Sequence, residues 1–443
     1  MKSLLSKSLI AVALRIASAI LAYASIIVLA RWLPAREFGY WGSIISALTF
    51  LGVLCGLGLP MALLRFIPQD QVEASGAQTS TIIRYALRRT MRVTIGISVA
   101  AALLAFALIL SGLTAKAGVA QTVSVVSLGL LLLPFYVLID LNGAVVRSFG
   151  GLFWAIAPRE VLWRLGLLPL VVIASTLNPS APFATFMVMA GLSLGAMAGV
   201  QSWRSRMMVP AQPVAAPPLD TKPLTQVTRP IWMSTTANYG LSNLDILFVA
   251  LMISPEMAAP YFILSRTASL LSFAHNAISV FLGPVLSRAY YGKDPAQAQA
   301  AASTGVVLAF LPALMAFGLF YLWGAEVLEV LDPKLTQHVP LLLILSVGHL
   351  FNAGAGPCGD LLNMTGHERL HAKVSTTMLL LMLLCLPMVI YLSGVLGAAL
   401  VVSGLLSVQS VTLWALARRA TGFDTSIFAA LRILLLRRDA VTS

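Results

Sequence analysis

The side chains with chemistry to offer are ionisable groups inside long apolar runs. A charge in hydrocarbon is costly, so such groups face protein or water and are functional candidates by default. Asp245 precedes, and Arg266 follows, a turn near residues 255 and 256 by similar numbers of residues. Helices leaving that turn put the two opposite charges at one depth, where an ion pair is either structural or switchable. Counting from the turn near residue 150 puts Asp140, Glu160 and Arg164 at one depth, close to that of Arg15, so these groups could form one polar network. His349, Ala353, Gly356 and Asp360 share a helical face, read either as a proton-accessible line or as isolated structural polar groups.

Uncharged polar residues add to this pattern. Arg15, Ser18, Ala22 and Ser25 form one stripe; Thr235, Asn238, Ser242 and Asp245 form a second; Ser265, Ser269, Ser272, Asn276 and Ser279 form a third. Each alone suits interhelical hydrogen bonding, and several together favour a hydrated cavity. Two catalytic motifs match literally. His367-Glu368-Arg369-Leu370-His371 has the H-E-x-x-H form, but it is expected in a short basic loop without a third ligand, so no metal is expected. Gly191-Leu192-Ser193-Leu194-Gly195 has the G-x-S-x-G form, which needs a strand and a strained turn, yet lies in an apolar run. It reads as helix packing, as do Gly52 and Gly56. Cys55, Cys358 and Cys385 have neither disulfide nor zinc spacing. No cofactor is implied.

The elements that must hold these residues are transmembrane helices. Of 443 residues, 59% are apolar and 10% charged, far from the globular norm of roughly a quarter charged. Windows of about 20 apolar residues fall roughly at 8–30, 38–62, 93–112, 120–146, 152–175, 182–203, 231–253, 259–283, 303–323, 339–362, 374–393 and 396–416. The expected fold is all-α and integral to the membrane, with about 12 spans in two pseudo-symmetric six-helix bundles. The net charge of +13 could suggest nucleic acid, but the basic residues concentrate on alternate loops. This positive-inside pattern places both termini in the cytoplasm and accounts for the charge without nucleic acid. Ala22-Tyr23-Ala24 has the form of a signal cleavage site, but the apolar run continues to Ala30 and reads as a retained first helix.

Residues 1–203 are expected to form the first bundle, 204–230 a Pro-rich cytoplasmic linker, 231–418 the second bundle, and 419–443 a cytoplasmic tail with a short amphipathic helix capped by Asp424 or Thr425. Pro34, Tyr40 and Trp41 are matched in spacing by Pro255, Tyr261 and Phe262, and Gly143, Val146 and Gly150 by Gly359, Leu362 and Gly366. Six spans separate the matches, so the halves are parallel repeats.

The run from Ala30 through Arg31, Trp32, Leu33, Pro34, Ala35, Arg36, Glu37, Phe38 and Gly39 to Tyr40 resembles the polysaccharide-unit flippases of the multidrug/oligosaccharidyl-lipid/polysaccharide (MOP) exporter superfamily. So do Gly56-Leu57-Gly58-Leu59-Pro60 with Leu64-Arg65-Phe66, Asp245, Tyr261, and Leu362-Asn363-Met364-Thr365-Gly366. The resemblance covers nearly the whole chain; Pro260 departs from it where glycine is usual. It implies two bundles around a central cavity, as in MATE-like transporters, alternating access, and transfer of undecaprenyl-diphosphate-linked oligosaccharide to the outer leaflet of a bacterial cytoplasmic membrane for surface polysaccharide synthesis. Arg15, Asn238, Arg266 and Asn276 would then bind substrate, and a proton or sodium ion and the polysaccharide polymerase or export machinery would be partners. A cation-coupled multidrug exporter and a peptidoglycan-precursor flippase are the alternatives. An integral-membrane enzyme is disfavoured, because the longest external loop, about residues 324–338, is too short for a catalytic one.

Overall fold

The computed structural model describes residues 2–73, 78–116, 118–178, 183–209, 222–292 and 294–432, and their regular elements are helices throughout. Apolar runs of this length have no water to satisfy backbone N–H and C=O groups, so the chain satisfies them within each segment. Seven helices are long and apolar enough by length and composition to cross a membrane. That count misses broken paths and merges others. Glu368–Thr421 has 54 residues, too long for one crossing, and Gly394 (φ 60°, ψ −140°) divides it. Joining the broken segments gives twelve helical paths among the described residues.

Contacts group the chain into two compact units, Met1–Trp232 with Ser254–Ala259, and Met233–Ile253 with Pro260–Ser443. The first unit holds Lys2–Trp32, the broken pair Ala35–Gly56 and Leu59–Glu73, then Thr79–Leu110, Gly118–Ser148, the path Leu152–Ala157 with Trp163–Leu177, and Phe183–Met208. One of its cores packs Leu63, Ile67, Ile83, Ala86, Leu141 and Val145. The second unit holds Leu244–Met252, most of Pro255–Ser269, and Phe273–Tyr291, Pro295–Leu331, Val339–Ala355, Cys358–Met364 and Glu368–Thr421. Its core packs Leu286, Ala302, Leu361, Leu362 and Ala417.

Glycine permits the breaks and close approaches. Leu57 and Gly58 take left-handed φ of 52° and 70°, so the Gly56-Leu57-Gly58 run turns the chain within one crossing. A Cβ on Gly58 would lie 2.8 Å from the Thr228 carbonyl oxygen, and one on Gly39 only 1.7 Å from that of Pro255. The motif glycines after the first and second spans are therefore contact points of the first unit.

Helices Phe183–Met208 and Lys222–Leu241 run into both ends of the stretch expected as a linker, and residues 210–221 lie outside the described residues. The tail differs from expectation at its cap. Ser426 Oγ accepts from the Ala429 amide at 3.3 Å, whereas Asp424 Oδ1 accepts from the Ser426 amide and the Thr425 hydroxyl donates to the Ala355 carbonyl. Ser426 is favoured because Asp424 is engaged by Trp414 and Arg418. Ile427 packs against Val306 and Phe310, and residues 433–443 lie outside the described residues.

Candidate functional site

Within the first unit a polar cluster forms where the helix after Leu152 widens into a π turn, Pro158–Leu162. Such turns insert an extra residue and re-aim side chains. Arg159 leaves this turn to pair with Asp140, lies over the Tyr136 ring, and reaches the Tyr136 hydroxyl at 3.5 Å. The Arg159 and Asp140 side chains are 26% and 28% exposed. Glu160 accepts from the Ser18 hydroxyl at 2.7 Å, bringing in the first helix, and Arg159 Nε lies 4.0 Å from its carboxylate. Arg164 donates to the Glu160 backbone carbonyl and lies over Trp163. Asp140 and Glu160 thus meet around Arg159, a residue that counting from the turn did not include. The side chain of Arg15 lies outside the described residues.

In the second unit the seventh path breaks between Leu241 and Leu244, so Thr235, Asn238, Ser242 and Asp245 do not form one continuous helical stripe. The break brings in Asn243, which sequence reasoning passed over. Its amide nitrogen donates to the Tyr239 carbonyl and its Oδ1 accepts from Arg266 at 2.7 Å. Arg266 also lies over the Phe262 ring. Asp245 is 1% exposed; its Oδ2 accepts from the Tyr261 hydroxyl at 3.0 Å, and its Oδ1 is buried without a hydrogen-bond partner. Asp245 and Arg266 lie within Coulombic reach of each other. Tyr261 hydrogen-bonds the first and Asn243 the second.

The helix carrying His349 ends at Ala355, because Gly356 (φ 73°, ψ −169°) and Pro357 cannot continue it. His349 and Asp360 consequently stand on separate helices. His349 Nδ1 meets the Ser272 hydroxyl at 2.8 Å, and Asp360 lies within Coulombic range of His275 and His371. The serine stripe of the eighth path is interrupted by the tight turn Leu270–Ser272, and Asn276 is exposed.

A third cluster centres on Asn238. Gln409 Nε2 donates to Asn238 Oδ1 at 2.7 Å and to Ser375 Oγ at 2.9 Å; Asn238 Nδ2 approaches His371 Nε2 at 3.5 Å, and His371 Nδ1 meets Asn363 Oδ1 at 3.0 Å. If Asn238 donates to Nε2, His371 carries its proton on Nδ1. This overturns the expected solvated loop: the helix starts at Glu368, and His371 in its first turn is buried, with the Gly359 backbone close to its ring. Among the described residues no group of three His, Cys, Asp or Glu is placed to hold a metal. Gln409 and Ser375, polar groups inside apolar helices, carried a signal for this cluster. Ser193 lies within helix Phe183–Met208 and donates to the Trp163 carbonyl at 2.6 Å, a packing contact.

The sequence matches no protein-family model and no curated protein. The fold does match solved structures. An inward-facing multidrug resistance MATE family transporter of the MOP superfamily aligns with TM-score 0.71 at 12% identity, over 94% of this chain and 98% of that one. A MOP superfamily transporter from Pyrococcus furiosus aligns at 0.67 and 13% identity, over 94% and 96%. The MATE multidrug transporter DinF-BH aligns at 0.66 and 15%, again over 94% and 96%. By fold, the chain is an all-helical, multi-pass membrane protein with the architecture of MATE transporters. Those neighbours are transporters rather than enzymes.

Proposed function

We propose that the chain moves an undecaprenyl-diphosphate-linked oligosaccharide from the cytoplasmic to the outer leaflet of a bacterial cytoplasmic membrane, by alternating access, feeding the machinery that polymerises or exports surface polysaccharide. The fold supports membrane transport, and the resemblance at the helix ends supports the polysaccharide-unit branch. The observation that carries the substrate class is Arg266, a cation within an apolar path that donates to the neutral amide of Asn243 and lies over the Phe262 ring. A lipid diphosphate has to leave bulk water, and guanidinium offers it charge-assisted, bidentate hydrogen bonds. Arg15, Asn238 and Asn276 are the further substrate-binding candidates. Asp245 with Arg266, and Asp140, Glu160, Arg164, His349 and Asp360, are candidates for ion pairing or coupling.

A second reading, cation-coupled drug export, is favoured by Asp245. Its buried, unpartnered Oδ1 suits a proton or a sodium ion. The two readings share a coupling acid and differ in cargo. Cells lacking the protein are expected to accumulate the lipid-linked repeat unit on the cytoplasmic side and to lose surface polymer. Normal polymer with drug hypersensitivity would replace the flippase reading with the exporter one.

A further inference from the structure

Helix Thr79–Leu110 buries Ile82, Ile83, Ala86, Thr90, Thr94 and Ser98 on one face. On the opposite face a single stripe at helical spacing runs Arg84, Arg88, Arg92, Ile95, Val99, Leu103, Phe106 and Leu110, all exposed. Ile95 to Leu110 are 50–71% exposed, the setting of side chains that meet lipid. The stripe therefore passes from apolar to triply cationic without turning toward protein.

Its dimensions match one crossing of the hydrocarbon core with one headgroup layer beyond it. Arg92 to Leu110 rises about 27 Å along the axis, close to a hydrocarbon core of about 30 Å. Arg92 then stands at the edge of the core, Arg88 about 6 Å farther out and Arg84 about 12 Å, through a headgroup layer roughly 5–8 Å thick. Long arginine stems let the outer charges bend back to the phosphate level. Neighbouring Arg89 is turned instead onto the Tyr85 hydroxyl and ring.

We propose that Arg84, Arg88 and Arg92 form a docking ladder for the headgroups of anionic phospholipids in the adjoining leaflet. The phosphodiester oxygens match the guanidinium forks, while the acyl chains lie along Ile95, Val99, Leu103 and Phe106. This surface is separate from the transport candidates and does not depend on what is carried.

The test is native mass spectrometry of the whole protein in neutral detergent, titrated with phosphatidylglycerol or phosphatidylcholine. The wild type should retain phosphatidylglycerol preferentially at low salt and lose the preference as salt rises. Each arginine removed in R84Q, R88Q and R92Q should weaken retention about fivefold. The triple variant should show none, with its thermal melting in detergent unchanged. A control lacking three exposed charges of the second unit, R369Q/K373Q/R419Q, should keep the preference. Equal retention of both lipids by the wild type, undiminished preference in the triple variant, or equal loss in the control would each overturn the proposal.

Discussion

Arg159 and Asp140 share a partly buried ion pair, and removing one partner strands the other in a poorly solvated place. The changes R159Q and D140N should each lower stability by about 1–3 kcal/mol, and the double variant should recover much of that loss. Thermal denaturation of the four proteins in one detergent measures the coupling; additive losses would mean that the pair does not act as a unit. The acids of this cluster were legible in the sequence because a carboxylate inside an apolar run is conspicuous. Arg159 was not, because it follows Pro158 close to a turn and nothing in hydrophobic periodicity announces a π turn. Asn243 escaped for a related reason: it acquires its role only where the helix breaks. His371 was hidden by its basic neighbours Arg369 and Lys373, which made a buried position look solvated.

Breaks and close contacts are the features of the helices that matter most for where side chains end up. Gly39→Ala would set a Cβ 1.7 Å from the Pro255 carbonyl oxygen, so backbone has to move. A loss of about 1–3 kcal/mol is expected, against a gain of about 0.5–1 kcal/mol for Gly96→Ala, which has open space around its helical Cα. Equal melting temperatures for the two variants would contradict the contact. After the last long helix, Asp424 collects the Trp414 indole, the Ser426 hydroxyl and amide, and Arg418. Burial alone would raise its pKa, but these groups outweigh it and hold the carboxyl below its usual value. A depressed acid stabilises the fold above its unfolded pKa, about 3.9, and that stabilisation is lost as pH falls through the folded value. D424N should therefore melt lower than wild type near neutral pH and converge with it on acidification. A constant gap across that range would remove Asp424 from the acid response. The long helices themselves were legible from apolar length. Their interruptions were only partly so, because Gly356-Pro357 is a visible breaker while Ser242-Asn243 is an ordinary polar pair.

Across the whole molecule, the all-α membrane fold follows from composition and from windows repeated along the chain, and the MATE-like architecture agrees with solved transporters. Cargo is harder to read, because helix-end motifs describe turns and contacts such as those of Gly39 and Gly58, whereas a substrate is recognised by a few charges. Arg266 is the residue on which the proposed cargo turns. The direct measurement is translocation in proteoliposomes holding the purified protein, scored by protection of a fluorescent polyprenyl-diphosphate-linked saccharide from an external quencher, in parallel with uptake of a cationic dye. The account predicts gradient-stimulated movement of the diphosphate lipid, at least about tenfold slower in R266Q, and no dye uptake. Dye transport without lipid movement, or lipid movement at the wild-type rate in R266Q, would contradict it.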